Sequence, residues 1–176
     1  MDFLSRLLIN SNKKSGTLVK ADLKELVQQS SKYYDEYNFS TIDVLANSIK
    51  ENMSFYRANV HGDFAPYNII YKNYPEKFTL IDWERSSLDG LALIDLFNYV
   101  YIRDCLFVNK GREKIEPFIQ SMARKYFLNI GHNLTLAEFY EYKTVFVISE
   151  FIERLSDAGP KDIYVKYLYE IIESEY

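Results

Sequence analysis

Three polar residues in the middle of the chain have the types and the spacing that phosphoryl transfer needs. Asp63 and Asn68 lie in HGDFAPYN, and Asp82 lies further on in LIDWE. Mg²⁺ prefers oxygen ligands and keeps its remaining positions for water and phosphate, so an asparagine and an aspartate suit it when a nucleotide supplies the rest. A second carboxylate nearby can accept the proton of an attacking hydroxyl. The three residues therefore predict a magnesium-dependent phosphate site with its own base.

The two candidate metal ligands are predicted to meet at the open end of a β-hairpin. NIIYK and FTLID are strand-like, and NYPEK between them contains a turn-favouring proline. A loop of residues 73–77 would place Ile70 opposite Leu80. Asn68 would then lie directly opposite Asp82, with the two Cβ atoms about 5 Å apart. Two oxygen ligands at that separation can share one ion.

The order of these residues is that of a kinase catalytic loop, in which an aspartate base and a magnesium-binding asparagine precede a second metal-binding aspartate. HGDFAPYN followed by LIDWE resembles the signature of the aminoglycoside phosphotransferase and choline kinase family. The resemblance extends over about residues 17–176 and is specific within residues 58–100. It implies an ATP- and Mg²⁺-dependent small-molecule kinase that phosphorylates a hydroxyl of a metabolite such as choline, a sugar or an aminoglycoside.

The resemblance assigns a role to each residue of the motif. Asp63 would be the catalytic base, and Asn68 and Asp82 would be the magnesium ligands. His61 and Gly62 would shape the catalytic loop. Structural interpretations remain open beside these roles, because aspartate is common in turns and a strand end can be simply solvated.

Further acidic residues are candidates for supporting parts of such a site. By the resemblance Asp95, in LIDLFNYV, would brace the catalytic loop without taking part in the chemistry. Trp83 is expected in the core, since strand alternation directs it away from the face of Asp82. An acceptor that carries an amine would be bound by carboxylates, and the candidates for that pocket are Glu84, Glu150 and Glu153.

The elements around the site are predicted to be mainly α-helical, with one small β-hairpin. Ser40 is expected to cap a helix that runs to about residue 55, and Thr135 and Glu138 form a capping box for a later helix. Gly131 and Gly159 mark helix ends. The expected single domain consists of four parts: an N-terminal segment and loop (1–16), helices (17–57), the catalytic loop and metal-binding hairpin (58–84), and a helical bundle (85–176).

This architecture resembles the C-terminal, helical lobe of a protein-kinase-like phosphotransferase. The N-terminal β-lobe of that family supplies a glycine-rich phosphate cover and a lysine, and neither is evident before His61. Lys13 and Lys14 are the nearest candidates for that lysine. The alternatives left open are a truncated, non-catalytic binding or regulatory module and one half of a split kinase. The possible protein partners are a separate N-terminal lobe or further copies of the chain in a homo-oligomer. A metal-dependent phosphohydrolase is disfavoured, because the chain contains only two histidines.

Composition limits the remaining classes of function. The chain has 176 residues, of which 48% are hydrophobic and 26% charged, and this is the composition of one soluble globular domain. Its net charge of −4 argues against a broad nucleic-acid surface. The single cysteine, Cys105, excludes an intrachain disulfide and fits a cytoplasmic location. The most apolar segment, residues 91–108, contains too many charges to span a membrane.

Overall fold

The structure, a computed structural model, describes residues 14–17, 20–30, 35–50, 54–73 and 77–175. The chain divides into two compact units, which are Met1–Gly16 with Phe55–Phe139 and Thr17–Ser54 with Tyr140–Tyr176. The predicted catalytic loop and hairpin, residues 58–84, belong to the first unit.

Helices make up most of the described residues. They are α1 (Lys20–Gln29), α2 (Phe39–Ser48), α3 (Ile94–Arg103), α4 (Arg112–Asn129), α5 (Leu136–Ala158) and α6 (Ile163–Glu175). A 3₁₀ turn, Pro66–Asn68, precedes the hairpin, and a π-helical turn, Asp104–Val108, follows α3. The prediction of a mainly helical chain is confirmed.

The strands form two sheets in the described part of the chain, in which β2 with β5 and β3 with β4 are antiparallel pairs. They are β1 (Lys14–Thr17), β2 (Ser54–Val60), β3 (Ile69–Asn73), β4 (Lys77–Leu80) and β5 (Ser87–Leu91). Strands β3 and β4 form the small hairpin that the sequence predicts. A three-stranded sheet of order β1-β2-β5 also forms, and the sequence does not predict it.

Two predicted boundaries are wrong because of this second sheet. Helix α2 ends at Ser48 instead of near residue 55, and β2 begins at Ser54 within the region predicted as helical. Strand β1 occupies Lys14–Thr17, where a loop is predicted, while residues 1–13, including Lys13, lie outside the described part.

Gly90 allows β5 to approach β2 closely, since a Cβ at that position would lie 2.1 Å from Cγ2 of Val60. Long-range pairing therefore determines the conformation of these segments.

The local helix signals are mostly confirmed. Glu138 and Thr135 form the predicted capping box at the start of α5, with the Thr135 N–H donating to Glu138 at 2.8 Å and the Glu138 N–H donating to the Thr135 hydroxyl at 3.2 Å. Gly131 and Gly159 follow α4 and α5 with positive φ angles. The cap of α2 differs from the prediction, because Asn38 accepts the hydrogen bond from the Ser40 N–H.

Helix α3 provides much of the buried surface of the first unit and packs against α4 and the 3₁₀ turn. Phe97 is fully buried, and its ring centroid lies 6.0 Å from that of Tyr101 and 5.9 Å from that of Phe139. Burying a side chain of this size stabilises the fold by about 1.5–3 kcal/mol. The packing fixes the helix that contacts the HGD loop.

Helices α1, α2 and α6, with the later part of α5, form the second unit, in which α2 packs against α1 and α6. Tyr37 anchors its core, because its ring lies 5.1 Å from Phe151 and 4.6 Å from Tyr169. The Tyr37 hydroxyl donates to the carbonyl of Pro160 at 2.7 Å. Within the described residues, no helix is long and apolar enough to cross a membrane.

Candidate active site

The HGD segment forms a tight loop between β2 and the 3₁₀ turn. His61, Gly62 and Asp63 are all buried. Gly62 has a φ angle of +81°, and a Cβ at this position would lie 2.1 Å from the carbonyl oxygen of Arg85. Both the backbone angle and the close approach require glycine. The glycine before Asp63 is therefore dictated by the shape of the loop.

Asp95, near the start of α3, holds this loop through its backbone. Its carboxylate accepts a hydrogen bond from the His61 N–H at 2.8 Å and one from the Gly62 N–H at 2.9 Å. Burial raises the pKa of the Asp95 carboxyl, and the two backbone hydrogen bonds oppose this shift without cancelling it. The structure thus brings Asp95 to the loop, where the resemblance expects a bracing residue.

The Asn68 side chain lies against Asp63. Its Nδ2 donates to the Asp63 carbonyl at 2.9 Å and to the Asp63 carboxylate at 3.1 Å. Asn68 is 4% exposed, and no described residue donates a hydrogen bond to its Oδ1. Because the amide nitrogen is committed to Asp63, the amide oxygen is the atom that remains to bind a cation.

The predicted pairing of the hairpin is wrong by one residue. Ile69 pairs with Leu80 and Ile70 pairs with Thr79, whereas Ile70 was expected opposite Leu80. Asn73 does pair with Lys77, as the expected loop requires, but an irregularity in β3 between Tyr71 and Asn73 shifts the rest of the ladder. A bulge of this kind inserts an extra residue into one strand and changes which residues face each other.

Asp82 consequently does not lie directly opposite Asn68. The Asn68 carbonyl accepts from the Ile81 N–H at 3.0 Å, so Ile81 is its partner and Asp82 is the next residue. Strand β4 ends at Leu80, and Asp82 is exposed with a φ angle of +63°. Asp82 therefore lies in an irregular segment just before the turn at Glu84 and Arg85, outside the regular ladder.

His61 contacts the irregular segment that carries Asp82. Its Nε2 lies 2.9 Å from the Ile81 carbonyl oxygen, and a carbonyl only accepts, so Nε2 carries the proton. The His61 side chain thereby links the HGD loop to the peptide group that precedes Asp82.

Trp83 and Glu84 directly follow Asp82, and both are exposed. The prediction that Trp83 belongs to the core is wrong, because the residue is 52% exposed and its Nε1 donates to the Leu80 carbonyl at 3.1 Å. Strand alternation cannot be applied here, since β4 has already ended. Glu84 is exposed, whereas Glu150 in the second unit is buried and paired with Arg154 at 2.7 Å. Glu150 is thus already neutralised as a candidate for an acceptor pocket.

Asn98 contacts the HGD loop, and the sequence did not predict this contact. It is fully buried on α3, and its Nδ2 donates to the Gly62 carbonyl at 2.9 Å. The available signal was its position one helical turn after Asp95, since residues three apart lie on the same face of a helix. No charge or motif distinguishes Asn98 without the fold.

The donor set suits a cation that shares its ligands with phosphate. In the described residues, no group of three or more His, Cys, Asp and Glu side chains is placed to hold a metal. A cage made only of protein carboxylates is therefore not formed there. The Asn68 amide oxygen and the exposed Asp82 carboxylate fit Mg²⁺, because Mg²⁺ is commonly bound by one or two protein oxygens with phosphate and water.

Comparison of the chain with protein-family models, with curated proteins and with solved structures finds no match. The case for a function therefore depends on the loop geometry.

Proposed function

We propose that this chain is an ATP- and Mg²⁺-dependent phosphotransferase that acts on a hydroxyl of a small metabolite. The observation that supports this proposal most directly is the contact between Asn68 and Asp63. The amide nitrogen of Asn68 orients the candidate base, and the amide oxygen of Asn68 is left for a cation. A turn aspartate needs no such partner. An amide nitrogen that contacts both the carbonyl and the carboxylate of the candidate base supports a site built for chemistry.

In this proposal Asp63 orients the acceptor hydroxyl and takes its proton. The hydroxyl oxygen attacks the γ-phosphorus of ATP while the bond from that phosphorus to the leaving ADP oxygen breaks. Mg²⁺ held by Asn68 and Asp82 would neutralise charge on the phosphates. Asn68 and Asp95 keep the loop in position, so that little reorganisation is needed during the reaction.

We also propose that the chain is a helical lobe of the aminoglycoside phosphotransferase and choline kinase type. The supporting features are the HGD loop, the hairpin and the placement of Asp95. Choline, sugars and amino-sugars are the acceptor classes to test, with Glu84 as the exposed carboxylate nearest in sequence to Asp82.

Calorimetric titration of the chain with ATP, with and without Mg²⁺, tests the nucleotide site. Asp82→Asn is the informative variant, because asparagine also tolerates positive φ and only the charge is removed. Asp89→Asn, at an exposed aspartate of β5, is the matched control. We expect Mg²⁺-dependent binding by the wild type and the control and its loss in Asp82→Asn. Equal binding by all three proteins would refute the assignment of Asp82.

The second candidate is a non-catalytic binding module, or one half of a split kinase that needs a separate N-terminal lobe. The observation in its favour is that Gly16 is the only glycine before Gly62, so the preceding residues offer no glycine-rich phosphate cover. Phosphate transfer to a panel of choline, sugars and aminoglycosides, followed with γ-³²P-labelled ATP, separates the two. Nucleotide binding without transfer to any acceptor would favour the binding module.

A further inference from the structure

Two side chains of α3 hold both polar groups of residue Gly62. The Asp95 carboxylate accepts from the Gly62 N–H at 2.9 Å, and the Asn98 amide donates to the Gly62 carbonyl at 2.9 Å. The carbonyl group belongs to the peptide bond that joins Gly62 to Asp63. The two contacts therefore fix the backbone on both sides of the Gly62 Cα, directly before the candidate base.

The orientation of the Asn98 amide is determined by this contact. A carbonyl oxygen only accepts hydrogen bonds, so the nitrogen of Asn98 must face Gly62. The Asn98 Oδ1 is buried, and no described residue donates to it. A buried acceptor without a partner carries a desolvation cost that an apolar residue would avoid. The site keeps asparagine despite this cost, which indicates that the hydrogen bond to Gly62 is the feature that matters.

Glycine makes such a restraint necessary. Gly62 has no Cβ, and its backbone can rotate among more conformations than that of any other residue. Rotation of the peptide group between Gly62 and Asp63 would turn the Asp63 side chain away from Asn68. We propose that Asn98 is a positioning residue, which sets the direction of the Asp63 carboxylate by holding the Gly62 carbonyl. The catalytic consequence rests on the proposed function, whereas the structural restraint does not.

The test compares Asn98→Ala and Asn98→Asp with Val100→Ala, a buried position of the same helix that makes no hydrogen bond to the loop. Hydrogen exchange of the Gly62 and Asp63 amides is measured by NMR at conditions of equal global stability. We expect Asn98→Ala to accelerate exchange at Gly62 by about tenfold relative to Val100→Ala, which is the size expected from losing one net hydrogen bond. Asn98→Asp keeps the shape but lacks the donor, and it should accelerate exchange at neutral pH.

Activity supplies the second readout. In the Asn98 variants kcat for phosphate transfer should fall by about tenfold or more, while KM for Mg²⁺–ATP changes by less than about threefold. Lowering the pH should partly restore the exchange protection of Gly62 in Asn98→Asp relative to Asn98→Ala, since the introduced carboxyl can donate to Gly62 once it is protonated. Equal exchange in Asn98→Ala and Val100→Ala would overturn the proposal. A wild-type chain without any transfer would instead refute the proposed function, and the exchange data would still decide the role of Asn98.

Discussion

The carbonyl oxygen of Arg85 occupies the space where a side chain on Gly62 would begin, at 2.1 Å from an ideal Cβ. Gly111 has nearly the same φ angle, +82° against +81°, but a Cβ there would meet no atom within 4 Å. The two glycines therefore separate the effect of backbone angle from the effect of close approach.

Gly62→Ala should lower the free energy of unfolding by about 3 kcal/mol or more, since a backbone atom blocks the methyl group and cannot move aside easily. Gly111→Ala should cost about 1–3 kcal/mol, which is the penalty of its backbone angles alone, because φ of 82° with ψ of 150° is a region that only glycine adopts readily. Urea unfolding followed by circular dichroism measures both values. Similar losses in the two variants would show that the Arg85 carbonyl does not restrict the loop.

The positive φ angle of Asp82 gives a prediction about stability that is separate from binding. Asp82→Gly should leave the free energy of unfolding unchanged or raise it by up to about 1 kcal/mol, because glycine adopts this angle without strain. Asp82→Ala should lower it by about 1 kcal/mol for the opposite reason. Both variants should lose Mg²⁺-dependent ATP binding. Thermal and urea unfolding, paired with calorimetry, would contradict this account if Asp82→Ala were the more stable of the two.

The capping box of α5 should make stability depend on pH in the acid range. Burial raises the pKa of Glu138, but hydrogen bonds from the Thr135 N–H and hydroxyl and from His132 outweigh this effect and lower it. Because the pKa of Glu138 is lower in the folded than in the unfolded chain, Glu138 stabilises the fold at pH values above its pKa in the unfolded chain. This contribution is lost as the pH falls through its pKa in the folded chain.

Glu138→Gln is the corresponding variant, because glutamine keeps the capping geometry and removes the charge. The free energy of unfolding of the wild type should exceed that of Glu138→Gln by about 0.5 kcal/mol near neutral pH, and the difference should disappear at acid pH. Urea unfolding between about pH 3 and pH 7 measures this, and those limits bracket the usual glutamate range. Glu113→Gln, at an exposed glutamate in the first turn of α4, is the control. If the difference in free energy of unfolding between the wild type and Glu138→Gln grew towards acid pH, the lowered pKa of Glu138 would be contradicted.

The stability that Asp95 contributes should depend on pH in the direction opposite to that of Glu138. Burial raises the pKa of this carboxyl in the folded state. Its titration therefore contributes stability that is fully present below the unfolded pKa and is lost as the pH rises through the folded pKa.

Asp95→Asn replaces two acceptor oxygens with one, and leaves one of the His61 and Gly62 amides facing an NH₂ group. The free energy of unfolding of Asp95→Asn should be about 1–3 kcal/mol below that of the wild type, and this deficit should be largest at acid pH and smaller at neutral pH. Urea unfolding across pH, with Asp89→Asn as the exposed control, measures the trend. A deficit that increases towards neutral pH would mean that the charged form of Asp95 is the favoured one.

Signals that act within a few residues could be predicted from the sequence. The capping box joins Thr135 to Glu138, and its hydrogen bonds form wherever that segment becomes helical. The hairpin likewise follows from two strand-like segments on either side of a proline-containing turn. Asp63 and Asn68 were predicted to belong to one site, and the Asn68 amide does contact the Asp63 carboxylate, since both residues lie in one short segment.

Contacts between distant segments could not be predicted in the same way. Strand β2 pairs with β5 about thirty residues later, and this pairing overrode a helical interpretation of residues near 54, because strand formation depends on neighbouring strands more than on local preference. The bulge in β3 changed the partner of Asn68 by one residue. The sequence by itself therefore determined which residues could do the chemistry and which short elements carry them. Only the tertiary structure decided that Asp82 lies outside the hairpin ladder and that Asn98 holds Gly62, because both depend on segments that approach each other only when the chain folds.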